Sequence, residues 1–164
     1  MPRRMSVITF VIILAIAAGV GFGLLILLDD DDSKAALTEY FQNVAPVVNS
    51  IDDRSSEQVV REPNQVFATW GFVVFQTVND LQDIDPPGDV AEAHQELMNA
   101  LSDAAVELAR LGAENQDVET LEEAALLRNQ DEELRAVEGR ARTACAELEQ
   151  IADENDIPVD LELC

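Results

Sequence analysis

No charged residue occurs between Met5 and Leu28, and this unbroken apolar run constrains the chain more than any other feature. As a helix it would span ~36 Å, against a bilayer hydrocarbon core of ~30 Å, so a membrane is the environment that suits it. Its flanks differ in charge. Arg3 and Arg4 precede it, and Asp29, Asp30, Asp31 and Asp32 follow it. Basic flanks stay in the cytoplasm. The expected layout is therefore a cytoplasmic tail at 1–4, a transmembrane signal-anchor at 5–28 and an extracytoplasmic domain at 29–164. A cleaved signal peptide is the rival reading. Its apolar region is shorter, roughly 7–15 residues, and ends in a small-x-small site. Here Ala15-Ile16-Ala17 lies mid-run, and cutting there would leave Ala18 to Leu28 on the mature chain. No cysteine stands near the end of the run to accept a lipid. Ala15, Gly19 and Gly23 recur every four residues, a stripe that would let two anchor helices pack closely into a homodimer. Small residues are also common in single anchors.

The charge balance of the remainder excludes whole classes of function. Two of the ten basic residues precede the apolar run, and none of the 33 acids lies before Asp29. Asp29–Cys164 thus sets eight bases against 33 acids, a net −25. Such a domain repels phosphate backbones and anionic headgroups, so nucleic-acid binding is not expected. Cations, basic proteins and cationic surfaces are the partners left to it, while the lipid bilayer is the partner of the apolar run. Lys34 is the only lysine. Acid excess with Arg in place of Lys also fits a saline habitat or a biased genome, in which case the acidity serves solubility.

Helical periodicity runs through the domain. Leu37, Tyr40, Phe41, Val44, Val48 and Ile51 fall at 3–4 spacing, with Pro46 inside the pattern as an expected kink or division. The polar stretch 52–64 reads as a loop with room for a short helical turn. From Gln65 to Ile84 the residues Phe72-Val73-Val74-Phe75 are β-prone, but the pattern persists for a helical length, and Trp70 with its Phe neighbours reads as core. Asp85-Pro86-Pro87-Gly88 is a strong break. Asp89 and Glu92 form a capping box, and Gly112 is the expected end of the helix they start. A last helix is expected from about Val118 to Glu154, with a break or bend possible across Arg128–Glu133 or at Gly139. Pro158 makes the tail extended. The expected fold class is all-α: a transmembrane helix followed by an antiparallel four-helix-bundle-like domain.

Chemistry-bearing residues are few. Cys145 lies on the last helix and Cys164 ends the chain. The tail can run back along the last turns of that helix, so the two sulfurs can meet as a disulfide in an oxidising compartment. His94 is the only histidine. It is a weak metal candidate, since no second imidazole accompanies it, and an ordinary helix histidine is the simpler reading. No catalytic residues, cofactor-binding residues or cofactor are implied. The acidic clusters lack EF-hand order, and one histidine without a nucleophile motif makes no triad.

Two segments carry a resemblance. One is Pro86-Pro87-Gly88-Asp89-Val90-Ala91-Glu92-Ala93-His94-Gln95-Glu96-Leu97. The other is Cys145-Ala146-Glu147-Leu148-Glu149-Gln150-Ile151-Ala152 with Ile157-Pro158-Val159-Asp160-Leu161-Glu162-Leu163-Cys164. Both are similar to segments of uncharacterised bacterial exported helical proteins, membrane-anchored or lipoprotein-like. The resemblance implies export and a disulfide-closed C-terminus, and no activity. Chain and resemblance together lead to the expectation of a membrane-anchored, non-enzymatic interaction module. The alternative is a domain that binds or senses divalent cations.

Overall fold

In a computed structural model of the chain, residues 32–57, 65–118 and 120–162 are described. The expected anchor at 5–28, with Ala15, Gly19 and Gly23, lies outside them, as does Cys164. Among the described residues no helix is long and apolar enough to cross a membrane. The chain divides into Met1–Ala36 and Leu37–Cys164, and the architecture below is that of the second unit.

The described fold is all-helical. Helix α1 covers 32–57, α2 Val66–Gln82, α3 Ala91–Glu114, α4 Leu121–Gln130 and α5 Glu132–Glu154. Side-chain pairings fix their directions. Tyr40 of α1 meets His94 in the first turn of α3. Arg54, near the end of α1, bonds Thr77 and Asp80 of α2. Phe67 lies against Gly112 and Leu108 against Gly71, which sets α2 antiparallel to α3. Arg110 reaches Asp131 and Arg140 reaches Asp103, which sets α3 antiparallel to α5. α2, α3 and α5 therefore alternate in direction, α1 packs against them, and α4 is a short insertion before α5.

Helix α1 buries Leu37, Tyr40, Phe41, Val44, Val48 and Ile51, the stripe that the 3–4 spacing marks. Two expectations about it are corrected. Of the kink or division expected at Pro46, division does not occur, and the helix continues to residue 57, into the stretch read as loop. Pro46 sits on the exposed side, between buried Val44 and Val48. The i−4 carbonyl that a proline leaves without its amide partner here belongs to Gln42, itself an exposed residue, where solvent can take the amide's place.

Helix α3 begins at Ala91 with Val90 as its cap residue, one position later than the Asp89 cap read from the sequence. Its first turn grows out of the proline break, with Val90 N–H donating to the Pro87 carbonyl at 3.1 Å. Gly112 does not end the helix. The chain stays helical to Glu114, and the Asn115 side-chain amide donates to the Leu111 carbonyl at 2.9 Å.

The expected long last helix is two helices. Asp131, extended at φ −72° and ψ 120°, separates α4 from α5, and its carboxylate accepts from the Leu134 amide at 2.8 Å. Gly139 leaves α5 unbroken. α5 closes on a left-handed residue, Asp156, at φ 53°. Ile157 N–H bonds the Ala152 carbonyl and Asp156 N–H the Asp153 carbonyl. These are the paired bonds of a Schellman ending with Asp where Gly is usual. The tail then turns back into the core, burying Ile157 and Leu161. Asn49 holds it from both sides, donating to the Asp160 carbonyl and accepting from the Glu162 amide.

Candidate functional site

Over Val66–Phe75 helix α2 is apolar apart from Thr69, so it cannot bury every large side chain it carries there. Its inner stripe is Val66, Phe67, Gly71, Val73, Thr77, Val78 and Leu81. Phe72 and Phe75 fall off that stripe and are 52% and 53% exposed. The expectation that they pack in the core is thereby overturned. Helical geometry allows only one face of α2 to meet the bundle, and the run Val66–Phe75, with Thr69 its one polar residue, does not announce which. Trp70 does pack as expected. It is half-buried, edge-on to Phe67 at 5.8 Å between ring centres, with the Arg128 guanidinium 5.4 Å from its ring centre.

Beside the two phenylalanines, α2 and α3 approach unusually closely. A Cβ built on Gly71 would lie 3.3 Å from the Ala105 carbonyl oxygen, and one on Gly112 would lie 3.2 Å from the Phe67 Cβ. Small residues at the crossing leave a groove of about 720 Å³ along the outside of the helix pair. Ala68, Gly71, Ala105, Ala109, Gly112 and Ala113 contribute its small side chains. Phe72, Phe75 and Val106, the last 64% exposed, are its exposed large ones. Gln65, Ser102, Asn115 and Gln116 supply its polar groups, and none of its lining residues is charged. The groove thus offers apolar contact with a few neutral hydrogen-bonding groups. Exposed apolar surface of this kind, bordered by polar residues, marks interaction sites in folded proteins.

A second, smaller cavity of about 250 Å³ lies among α1, α2, α3 and α5, walled by Ile51, Trp70, Val74, Leu101 and Leu108. Its charged residues include Glu138, which bridges Arg128 at 2.7 Å and Arg142 at 3.7 Å.

The residues singled out in the sequence do not converge on one place. His94 is 2% exposed in the core, with Nδ1 2.9 Å from the Tyr40 hydroxyl. A hydrogen bond also joins it to the backbone of Leu81. An α-helical amide is already committed, so the Leu81 partner is its carbonyl. The ring nitrogen facing it therefore carries the proton, and Nδ1 accepts from Tyr40. Burial lowers the His94 pKa, and the Leu81 bond opposes that in part. Burial also pushes the Tyr40 phenol well above its usual range. Both ring nitrogens are thus engaged. Among the described residues no group of three or more His, Cys, Asp or Glu side chains could hold a metal ion. Cys145 is fully buried and disulfide-bonded.

Sequence reasoning missed the groove itself. The signal available was the run from Val66 to Gln82, in which Asp80 is the only ionisable residue of a strongly acidic domain. Comparison with protein-family models, curated proteins and solved structures finds no match for this chain.

Proposed function

We propose that the chain is a non-enzymatic interaction module. Residues 5–28 hold it at the cell membrane with its helical domain outside, and the α2–α3 groove engages a protein partner. The observation that carries this reading is the exposure of Phe72, Phe75 and Val106 around an uncharged groove in an otherwise acidic domain. Leaving two half-exposed phenylalanines in water forgoes burial worth about 25 cal/mol per Å², which a partner would recover. The uncharged run ahead of the four aspartates supports the tether, and Arg3 and Arg4 support the orientation.

The test is a pull-down with the full-length chain from membranes of the cells that make it. A species retained by the natural chain should be lost when Phe72→Asp and Phe75→Asp are introduced together. Recovery of the same species by both chains would remove the groove from the proposal. Added protease should cut the C-terminal domain on intact cells, and protection there would overturn the orientation.

A further inference from the structure

We infer that the occupant of the α2–α3 groove is the same groove on a second copy of this chain. The inference rests on the reading of the groove as an interface and names its partner.

Charge supplies the first argument. Each domain carries a net −25, so two copies repel wherever acids face acids. Like charges set opposite one another across an interface cost several kcal/mol. The exposed surface of α1 includes Glu39, Asp52 and Asp53, and that of α5 includes Glu133, Glu147 and Asp153. On α3 the charged residues lie off the groove and largely toward α5. Arg140 takes Glu96 and Asp103, while Arg110 takes Glu107, Glu114 and Asp131. Asp80, the one acid of α2, is paired with Arg54 at 3.1 Å. The groove lining itself is thus surface on which two such domains meet without opposing their charges, with exposed Asp117 at its end between Gln116 and Val118 and the acids of the α2–α3 connection outside it. A basic partner would find no carboxylate in the groove lining to pair with, so an acidic domain seeking one would not need this face neutral.

Shape supplies the second argument. A twofold contact uses the same patch on both copies, so the patch must contain both projection and recess. Phe72 and Phe75 project beside a recess made by Gly71, Ala109 and Gly112. Rotation about a twofold axis across the face sets the phenylalanines of each copy over the small residues of the other. Sixteen residues line the groove, below the roughly 20–30 per side of a standard interface, so the contact is modest in size. Two copies tethered in one membrane need less, because confinement raises their effective concentration.

The experiment places a photo-crosslinking benzoyl-phenylalanine at Val106 in the full-length chain, in the cells that naturally make it. A second copy with a different tag is produced alongside. Irradiation should give an adduct near twice 18.0 kDa containing both tags. The adduct should fall about tenfold with Phe72→Asp, which charges the ridge, and with Ala109→Trp, which fills the recess. Both positions are exposed, and an unchanged helical circular dichroism spectrum shows that each variant has folded. An adduct unaffected by either change, yet lost on Gly19→Leu in the anchor, would overturn the inference. Adducts containing only a different protein would overturn the second copy and leave the interaction module standing. Irradiation that yields no adduct at all would overturn both.

Discussion

Burial makes His94 a neutral histidine. Tyr40 occupies one ring nitrogen and Leu81 the other, and burial disfavours the charged form. Its pKa is lowered, so the unfolded chain takes up a proton at a pH where the folded chain does not. The stability this contributes is complete above the unfolded value of about 6.5 and is lost as pH falls through the folded value. Urea denaturation between pH 7.5 and pH 5.5 should show stability falling with a slope of at most about 1.4 kcal/mol per pH unit from this group. His94→Gln should flatten that stretch of the profile, and an equal slope in the variant would assign the effect to other groups. The one histidine was plain in the sequence. Its place was not, because Tyr40 stands 54 residues away on another helix.

At the scale of an element, the break between α4 and α5 turns on one side chain. Asp131 caps α5 through the Leu134 amide and accepts from Arg110 at 2.6 Å, tying the break to α3. The Arg110 guanidinium is the main reason its carboxyl titrates below the usual range, with the Leu134 amide next. Asp131 in turn leads the causes that hold the Arg110 pKa above its usual value, followed by Glu107. Asp131→Ala should cost about 0.5–2 kcal/mol, the range for a lost helix cap. Asp131→Asn should recover part of that, because an amide oxygen can still accept from Leu134. The measurement is denaturant unfolding of both variants, and equal losses would assign the effect to charge alone. The polar stretch 128–133 was a legible place for a break. Pro46 was a misleading one, since proline interrupts a helix according to what its freed carbonyl meets, and at Gln42, an exposed residue, solvent can take the amide's place.

At the scale of the whole molecule, closure of the C-terminal tail joins both ends of the domain's sequence. Asn49 of α1 holds Asp160 and Glu162, and Leu161 N–H donates to Glu149 at 2.8 Å. We propose Cys164 as the partner of the disulfide-bonded Cys145. A loop of that length would stabilise by ~3 kcal/mol. Mass measured without reductant should be two hydrogens below the reduced chain, and Cys145→Ala should raise hydrogen exchange at the Leu161 amide. A full complement of free thiols in the exported protein would end the pairing. Sequence alone determined that the described domain is helical, because a 3–4 spacing of apolar residues admits no other regular structure that buries them. It also determined the uneven charge, which is a count and needs no coordinates. Tertiary structure decided which face of α2 turns inward, since the apolar first half of that helix satisfies the same period in several rotations. It also decided that Gly71 and Gly112 are points of close approach, because a glycine has a partner only once two helices have crossed. The groove follows from both, and appears only when the bundle has chosen what it leaves outside.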